Sequence, residues 1–169
     1  VRETILKTGY DSEEKGLDGY SCLILTNIGT QSPDIAQGVN QTQGQTGAGD
    51  QGMMYGYACD ETEEYMPLSI SLAHRLSRRL ADVRKEGILP YLFPDGKSQV
   101  TVACHEDGSI AGISDIIISA QHSATVSTEQ LRTDIRICVI DKVIEPKDML
   151  PDIKIHINPT GRFVTGGPA

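Results

Sequence analysis

Apolar and polar residues alternate in five short segments of the chain, and each of these segments predicts a β-strand. The predicted strands lie at residues 20–28, 53–58, 98–104, 110–120 and 153–157. Alternation with a period of two sends successive side chains to opposite faces of a sheet, so that one face can be buried. The fourth segment contains three successive isoleucines, which favours burial on both of its faces.

Two longer segments have the spacing of helices. The first has a one-sided apolar stripe, formed by Leu72, Leu76, Leu80 and Val83. An acidic stretch at 60–64 precedes this helix, and Gly87 ends it. The second helix is predicted from the capping sequence Ser-Thr-Glu-Gln at 127–130 to about Glu145, and its apolar positions cover more than one stripe. Residues 1–8 are typical of the end of a further helix.

From residue 53 onward the predicted order is strand, helix, strand, strand, helix, strand. This order favours an α+β fold in which two helices cover one face of a mixed β-sheet. Asp-Gly at 107–108 predicts a hairpin between the two central strands. Because several strands are apolar on both faces, we expect the uncovered face to pack on another subunit or domain.

Composition narrows the classes of function. The net charge of −8 argues against non-specific nucleic-acid binding, which requires a positive field. No apolar run approaches the roughly 20 residues of a membrane helix. Four scattered cysteines without metal-ligand spacing indicate reduced thiols in a cytoplasmic protein, and we expect no metal site formed by this chain alone. Both ends of the sequence are typical of a piece cut from a longer protein.

The segment at 29–52 is rich in Gly, Gln, Asn and Thr, and it is too long for an ordinary connection. It ends in Gly-Ala-Gly-Asp-Gln-Gly at 47–52, whose glycines would let the backbone approach a ligand closely. The segment is neither a P-loop nor a dinucleotide fingerprint, because no Gly-Lys-Ser/Thr follows and a strand rather than a helix comes next. Taken alone it is either a flexible loop or a ligand loop in which Asp50 and Gln51 hold an ammonium group or a metal.

Two further motifs have both a structural and a functional interpretation. Pro-Asp-Gly-Lys-Ser at 94–98 is either a β-turn or a site where Lys97 meets a phosphate and Asp95 holds a hydroxyl group or a metal. In Asn-Pro-Thr-Gly-Arg-Phe at 158–163, Arg162 offers a fork for phosphate and Phe163 a ring for a purine; otherwise they are a surface arginine and a core phenylalanine. The four histidines form no ligand or triad pattern and are assigned structural roles: His74, His105, His122 and His156.

Several motifs in a fixed order together resemble the S-adenosylmethionine synthetase (methionine adenosyltransferase) family. They are Gln-Ser-Pro-Asp-Ile at 31–35, Gly-Ala-Gly-Asp-Gln-Gly at 47–52, Glu-Thr-Glu at 61–63, Met-Pro at 66–67, Ala-His-Arg-Leu at 73–76, Pro-Asp-Gly-Lys-Ser-Gln-Val-Thr at 94–101, Gln-His-Ser at 121–123 and Asn-Pro-Thr-Gly-Arg-Phe-Val at 158–164. The resemblance runs nearly the whole length of the chain. It implies residues 1–30 from an N-terminal domain, a mobile active-site loop at 31–46 and a central domain at 47–169.

The resemblance also implies a reaction. The sulfur of L-methionine attacks C5′ of ATP, and the displaced triphosphate is split into pyrophosphate and phosphate. Mg²⁺ and K⁺ are the implied cofactors, with ligands mostly outside this chain, and the implied assembly is a homodimer or homotetramer with active sites between subunits. Nucleic acid and membranes are not expected partners.

Roles for individual residues follow from the resemblance. Gln31 and Asp50 are expected to contact methionine. Asp95, Gly96 and Lys97 are expected to contact ATP, with Lys97 on the phosphates, and Arg162 and Phe163 are expected to contact the nucleotide. Lys97 and Asp50 are the expected catalytic residues. Phe93 departs from the family pattern, which often has arginine there.

Parts of the family's active site lie outside this sequence. We therefore expect the 169-residue chain alone to be inactive. The alternative is a non-catalytic central-domain module that dimerises or binds nucleotide weakly.

Overall fold

A computed structural model of the chain describes residues 1–40, 44 and 46–168. In chain order the helices and strands are α1 (Arg2–Thr8), β1 (Asp11–Ser12), β2 (Leu17–Asp18), α2 (Pro33–Val39), α3 (Leu68–Lys85), β3 (Leu92–Cys104), β4 (Ile110–His122), α4 (Thr128–Ile135), a π turn (Arg136–Ile140), α5 (Asp141–Val143) and β5 (Met149–Ile157). Short 3₁₀ helices lie at Glu13–Lys15 and Pro146–Asp148. The chain divides into two compact units. Residues 23–57 form one unit, and residues 1–22 together with those from 58 onward form the other.

The larger unit is built on a three-stranded sheet in the order β3–β4–β5. Strands β3 and β4 are antiparallel, whereas β4 and β5 are parallel, so the sheet is mixed. The predicted hairpin at Asp107-Gly108 is confirmed: Gly108 has a φ of 85° and its N–H donates to the carbonyl of His105 at 3.0 Å. This φ lies in the left-handed region, which glycine adopts without strain.

One face of the sheet packs with the helices around a single apolar core. The predicted stripe of α3 is confirmed, because Leu76 and Val83 are fully buried and the two other leucines nearly so. Ile116 and Ile118, which alternate on one face of β4, are also fully buried and share this core with α3 and α4. The α+β fold with a mixed sheet is therefore as predicted.

The second helical segment begins as predicted and then departs from a regular helix. The hydroxyl of Ser127 accepts a hydrogen bond from the N–H of Gln130 at 3.1 Å, which caps α4. Between α4 and α5 the backbone widens into the π turn, a form that usually occurs as a single turn within helices. Arg79 donates from Nε to the carbonyl of Cys138 in this turn at 2.9 Å, which ties it to α3.

Strand β3 begins six residues earlier than the alternation predicts. Leu92 pairs with His122, and the next pair is Gly96 with Ala120, so β3 has two residues more than β4 between these pairs. The β-turn interpretation of residues 94–98 is therefore wrong. Pro94 lies in this β-bulge, where the proline's missing N–H costs no ladder hydrogen bond.

The strands predicted at 20–28 and 53–58 are wrong, since neither segment forms a strand in the structure. Leu25 and Ile28 are 84% and 92% exposed, and Tyr55 is 90% exposed. An alternating segment forms a strand only when a neighbouring strand satisfies its N–H and C=O groups. Among the described residues no segment pairs with either of these two. The long loop also contains α2, which begins at Pro33 and was not predicted.

The face of the sheet opposite the helices is more polar than predicted. Cross-strand pairs on it join Lys97 to Ser119, Gln99 to Ile117 and Thr101 to Asp115. Lys154 and His156 of β5 pair next to Asp115 and Ile117, and both are exposed. Ile117, the middle of the three isoleucines, is only half-buried, so this part of β4 is not a strand buried on both faces.

Candidate functional site

The segment that follows β5 lies beside the end of β4, and a buried asparagine begins it. The side chain of Asn158 accepts from the N–H of Ala120 at 2.8 Å and donates to its carbonyl at 3.0 Å. Its own N–H donates to the carbonyl of Ile118 at 2.9 Å. With a φ of 43°, Asn158 has a left-handed backbone that asparagine tolerates better than most residues. It therefore ends β5 and directs the chain along β4.

His122 and Gln121 hold the next part of this segment. The N–H of His122 donates to the carbonyl of Phe163 at 3.0 Å, and the N–H of Phe163 donates to Nε2 of the same histidine at 3.2 Å. Gln121 donates from Nε2 to the carbonyl of Val164 at 2.9 Å. Both side chains on β4 are buried. The backbone at 163–164 is thus fixed to the end of β4.

Asp95 meets the end of the same segment from the bulge of β3. Its Oδ2 accepts a hydrogen bond from the N–H of Gly167 at 2.9 Å. A Cβ added to Gly166 would lie 2.5 Å from the ring of Phe163 and 3.0 Å from this carboxylate oxygen, so only glycine fits between them. The structure therefore brings Asp95 and Phe163, two of the predicted ATP-binding residues, to the two sides of one glycine.

The ring of Tyr10 also lies close to Gly167. A Cβ added to Gly167 would lie 3.4 Å from its phenol oxygen. Burial, and then the negative charge of Asp95, raise the pKa of Tyr10, while Arg84 acts in the opposite direction. Burial lowers the pKa of Arg84, whose Nη2 donates to the carbonyl of Thr8 at 2.9 Å. The phenol of Tyr10 thus lies near both the carboxylate of Asp95 and the guanidinium of Arg84, and the same carboxylate binds the backbone of Gly167.

Gly96 and Lys97 follow Asp95 along β3 and have different surroundings. A Cβ on Gly96 would lie 2.7 Å from Cδ2 of Leu80, so the absence of a side chain here lets α3 pack closely on β3. Lys97 is exposed on the sheet face away from the helices. It forms no salt bridge with any carboxylate of the part of the chain described. An unpaired ammonium group is available for an anion.

The two remaining nucleotide candidates lie side by side but differ in exposure. Arg162 is exposed, whereas Phe163 is half-buried, with one part of its ring against Gly166. The arginine has no hydrogen bond or ion pair within residues 1–40, 44 and 46–168. The alternative of a core phenylalanine does not hold, because Phe163 lies outside the buried core cluster.

The predicted methionine residues Gln31 and Asp50 belong to the unit of residues 23–57. Gln31 is exposed and directly precedes the N-cap of α2. The carboxylate of Asp50 is exposed and accepts from the N–H of Gln51 at 2.7 Å. Just before it, a β-bridge joins Asn40 to Thr46. Gln41 and part of the predicted mobile loop lie outside the described residues.

Sequence reasoning missed the residues that hold this site together. His122 was assigned an unspecified structural role, and Asn158 and Tyr10 were not singled out. The available signal was the Gln-His-Ser sequence at the end of an apolar strand, where two polar side chains enter a buried position.

The described residues contain neither a cluster of metal ligands nor a helix that could span a membrane. Within them, no group of three or more His, Cys, Asp or Glu side chains could hold a metal ion. The same part of the chain has no helix that is both long and apolar enough to cross a membrane.

Comparison with known proteins agrees with the order of motifs. Residues 45–163 match the family model described as S-adenosylmethionine synthetase, central domain. The chain is 53% identical to the S-adenosylmethionine synthase of Desulfosudis oleivorans, 52% to that of a Sulfurovum species and 50% to that of Clostridium tetani. Each alignment covers 99% of this chain but only 44–45% of the relative, so the chain spans less than half the length of these proteins. This chain belongs to the S-adenosylmethionine synthetase family.

Proposed function

We propose that the full-length protein containing this chain forms S-adenosylmethionine from ATP and L-methionine and cleaves the triphosphate to pyrophosphate and phosphate. The observation that carries this proposal is the proximity of two segments with predicted nucleotide contacts, Asp95–Lys97 and Arg162–Phe163. The N–H of Gly167, four residues after Phe163, donates a hydrogen bond to Asp95. Relatives about 50% identical, each named S-adenosylmethionine synthase, support the same reaction.

The residues suit a displacement with a highly charged leaving group. A thioether sulfur attacks with its own lone pair, so the reaction requires no general base to deprotonate it. The triphosphate that departs needs fixed positive charge, and the unpaired ammonium of Lys97 and guanidinium of Arg162 would supply it. Phe163 would stack on the adenine, and Asp95 and Gly96 would line the nucleotide.

Gln31 and Asp50 would hold methionine. An exposed carboxylate such as that of Asp50 can pair with the substrate's ammonium group and so orient the sulfur. Holding two substrates in line removes much of the entropic barrier to their reaction. For this reason Asp50, as well as Lys97, is proposed as a catalytic residue.

Metal ions enter the proposal only for the full-length protein. Mg²⁺ would neutralise phosphate charge when bound, and K⁺ is the second implied ion. Among the described residues, no group of three or more His, Cys, Asp or Glu side chains could hold a metal ion. We therefore assign neither ion to side chains of this chain and derive no step through them.

We further propose a homodimer, or a homotetramer built from dimers, in a cytoplasmic protein. The assembly is proposed from the family resemblance, and the sheet face away from the helices, with Gln99, Ile117 and His156, is the surface proposed for it. Light scattering on the full-length protein checks the assembly; a strictly monomeric active protein would contradict it. The isolated chain is expected to show no synthesis of S-adenosylmethionine.

The proposed function is tested by Lys97→Ala in the full-length protein, with Lys142→Ala as the matched control. Lys142 is also an exposed lysine, but it lies on α5. Losing a cation that stabilises the leaving group should lower kcat by about 100-fold or more. The control should retain its turnover, and both variants should keep their stability to within about 0.5 kcal/mol.

Two outcomes would count against this assignment. Unchanged turnover of Lys97→Ala with a normal melting curve would remove Lys97 from the site. A wild-type full-length protein that binds ATP but forms no S-adenosylmethionine would instead favour the non-catalytic module.

A further inference from the structure

The segment after β5 is attached to the end of β4 mainly through side chains. In a regular ladder, backbone groups of two strands pair with each other. Here Asn158 pairs through its carboxamide with both backbone groups of Ala120, and Gln121 reaches the carbonyl of Val164 through its side chain. His122 uses both its backbone N–H and its ring for Phe163. The position of residues 158–164 therefore depends on three buried polar side chains.

The hydrogen bonds of His122 fix which ring nitrogen bears the proton. Nδ1 lies 2.9 Å from the carbonyl oxygen of Ser123, and a carbonyl oxygen can only accept. Nδ1 must therefore be the donor. Nε2 is then the acceptor of the neutral ring, and this agrees with the N–H of Phe163 pointing at it from 3.2 Å.

Burial makes this acceptor hard to replace. His122 is 1% exposed, so water has little access to its ring. Without Nε2 the N–H of Phe163 would be left without its acceptor, and an unpaired amide in this partly buried place is costly. A shift of the backbone at 163 would move the ring that lies over Gly166 and the neighbouring Arg162 with it.

We propose that His122 is a positioning residue for nucleotide binding, which orients Arg162 and Phe163 through the N–H of Phe163. The inference rests on the function proposed above. His122 does not itself contact substrate in this proposal. It acts through the backbone of Phe163, and its effect therefore falls on the nucleotide and not on methionine.

Two substitutions in the full-length protein separate positioning from general packing. In His122→Asn the amide nitrogen can take the place of Nδ1, but no acceptor remains at the place of Nε2. In His122→Gln the longer side chain can put its carbonyl oxygen near the place of Nε2. The two variants are similar in polarity, and each keeps one of the two ring contacts. His122→Asn keeps the donor to the carbonyl of Ser123, whereas His122→Gln keeps the acceptor for Phe163 that the proposal requires.

The expected result is a selective effect on ATP. His122→Asn should raise the KM for ATP by about 10-fold, the size expected when one partly buried amide loses its acceptor, and should leave the KM for methionine within about 2-fold. His122→Gln should keep the KM for ATP within about 3-fold of wild type. Melting curves of both variants establish that the measured protein is folded.

Several results would overturn the proposal. One is an equal rise in the KM for both substrates; another is a KM for ATP in His122→Asn equal to wild type. If neither variant folds, or if both lose stability without a difference between them in the KM for ATP, His122 is only a folding determinant. Absence of synthesis by wild type would overturn the proposed function; the positioning role would then be decided by ATP affinity, measured calorimetrically on the same two variants.

Discussion

Residues 92–157 and residues 23–57 use their apolar side chains in opposite ways. In the first region Ile113, Ile116 and Ile118 are completely buried. In the second region Leu23 and Leu25 are more than four-fifths exposed. The difference does not lie in composition alone, because both regions contain β-branched residues at alternating positions. It lies in the presence of a paired strand on each side of β4, which supplies backbone partners and a place to bury side chains.

The largest expected contrast comes from removing one apolar side chain in each region. Ile116→Ala should lower the free energy of unfolding by about 2–5 kcal/mol, because it leaves a cavity in a packed core. Leu25→Ala should change it by less than about 0.5 kcal/mol, because the side chain is already in water. Urea unfolding of the two variants measures both values. Similar losses in the two variants would mean that residues 23–57 are packed as firmly as the sheet.

Two Gly→Ala substitutions, one in each region, should change the free energy of unfolding by smaller amounts and in opposite directions. Gly112 on β4 has a φ of 147°, and a Cβ there would lie 3.3 Å from the carbonyl oxygen of Asp148. Gly112→Ala should therefore cost about 1–3 kcal/mol. At Gly38 in α2 an added Cβ would meet no described atom within 4 Å, so Gly38→Ala should stabilise the helix by up to about 1 kcal/mol.

Thermal unfolding of these two variants gives the signs directly. A loss in Gly38→Ala equal to that in Gly112→Ala would contradict the open surroundings of α2.

The smallest effect concerns alkaline stability and Tyr10. The folded state raises the pKa of this phenol above its ordinary value of 10.0, so the protonated form is favoured by folding. The resulting stabilisation is complete below pH 10.0 and is lost as the pH rises through the folded-state pKa. Tyr10→Phe should make thermal stability less dependent on pH above this value.

Tyr55→Phe in the exposed region is the control for losing a phenol, and it should leave the alkaline loss of stability in place. Melting temperatures measured at several pH values on both sides of 10.0 decide the matter. Burial also raises the pKa of Tyr91, so Tyr10→Phe should remove only part of the alkaline loss. An alkaline loss of unchanged size in Tyr10→Phe would exclude a contribution from Tyr10.

The sequence predicted the fold where local pattern and tertiary packing agree. The stripe on α3, the hairpin at Asp107-Gly108 and the cap at Ser127 each depend on a few neighbouring residues, and all three are present. The wrong strands at 20–28 and 53–58 show the limit of this reasoning. Alternation identifies a segment that is able to pair, but the partner strand is a property of the whole fold.

The candidate site was predictable to a lesser degree. The residues proposed to face substrate were predicted from the resemblance, since Lys97, Arg162 and Phe163 belong to recognisable motifs. The residues that hold this segment in place were not predicted, because the hydrogen bonds of His122 and Asn158 join positions about 40 residues apart. The early start of β3 was missed because Pro94 and Gly96 normally indicate a turn.

The π turn at Arg136–Ile140 explains why the apolar residues of the second predicted helix do not fall on a single stripe. In a regular α-helix five residues advance about 500°, which would place Ile140 roughly 140° away from Ile135. A π turn closes after five residues, so both isoleucines return to the same side and both are completely buried. The widened turn therefore resets the phase of the helix and lets its second half face the same core as the first. From α3, Arg79 donates a hydrogen bond to the carbonyl of Cys138 within this turn.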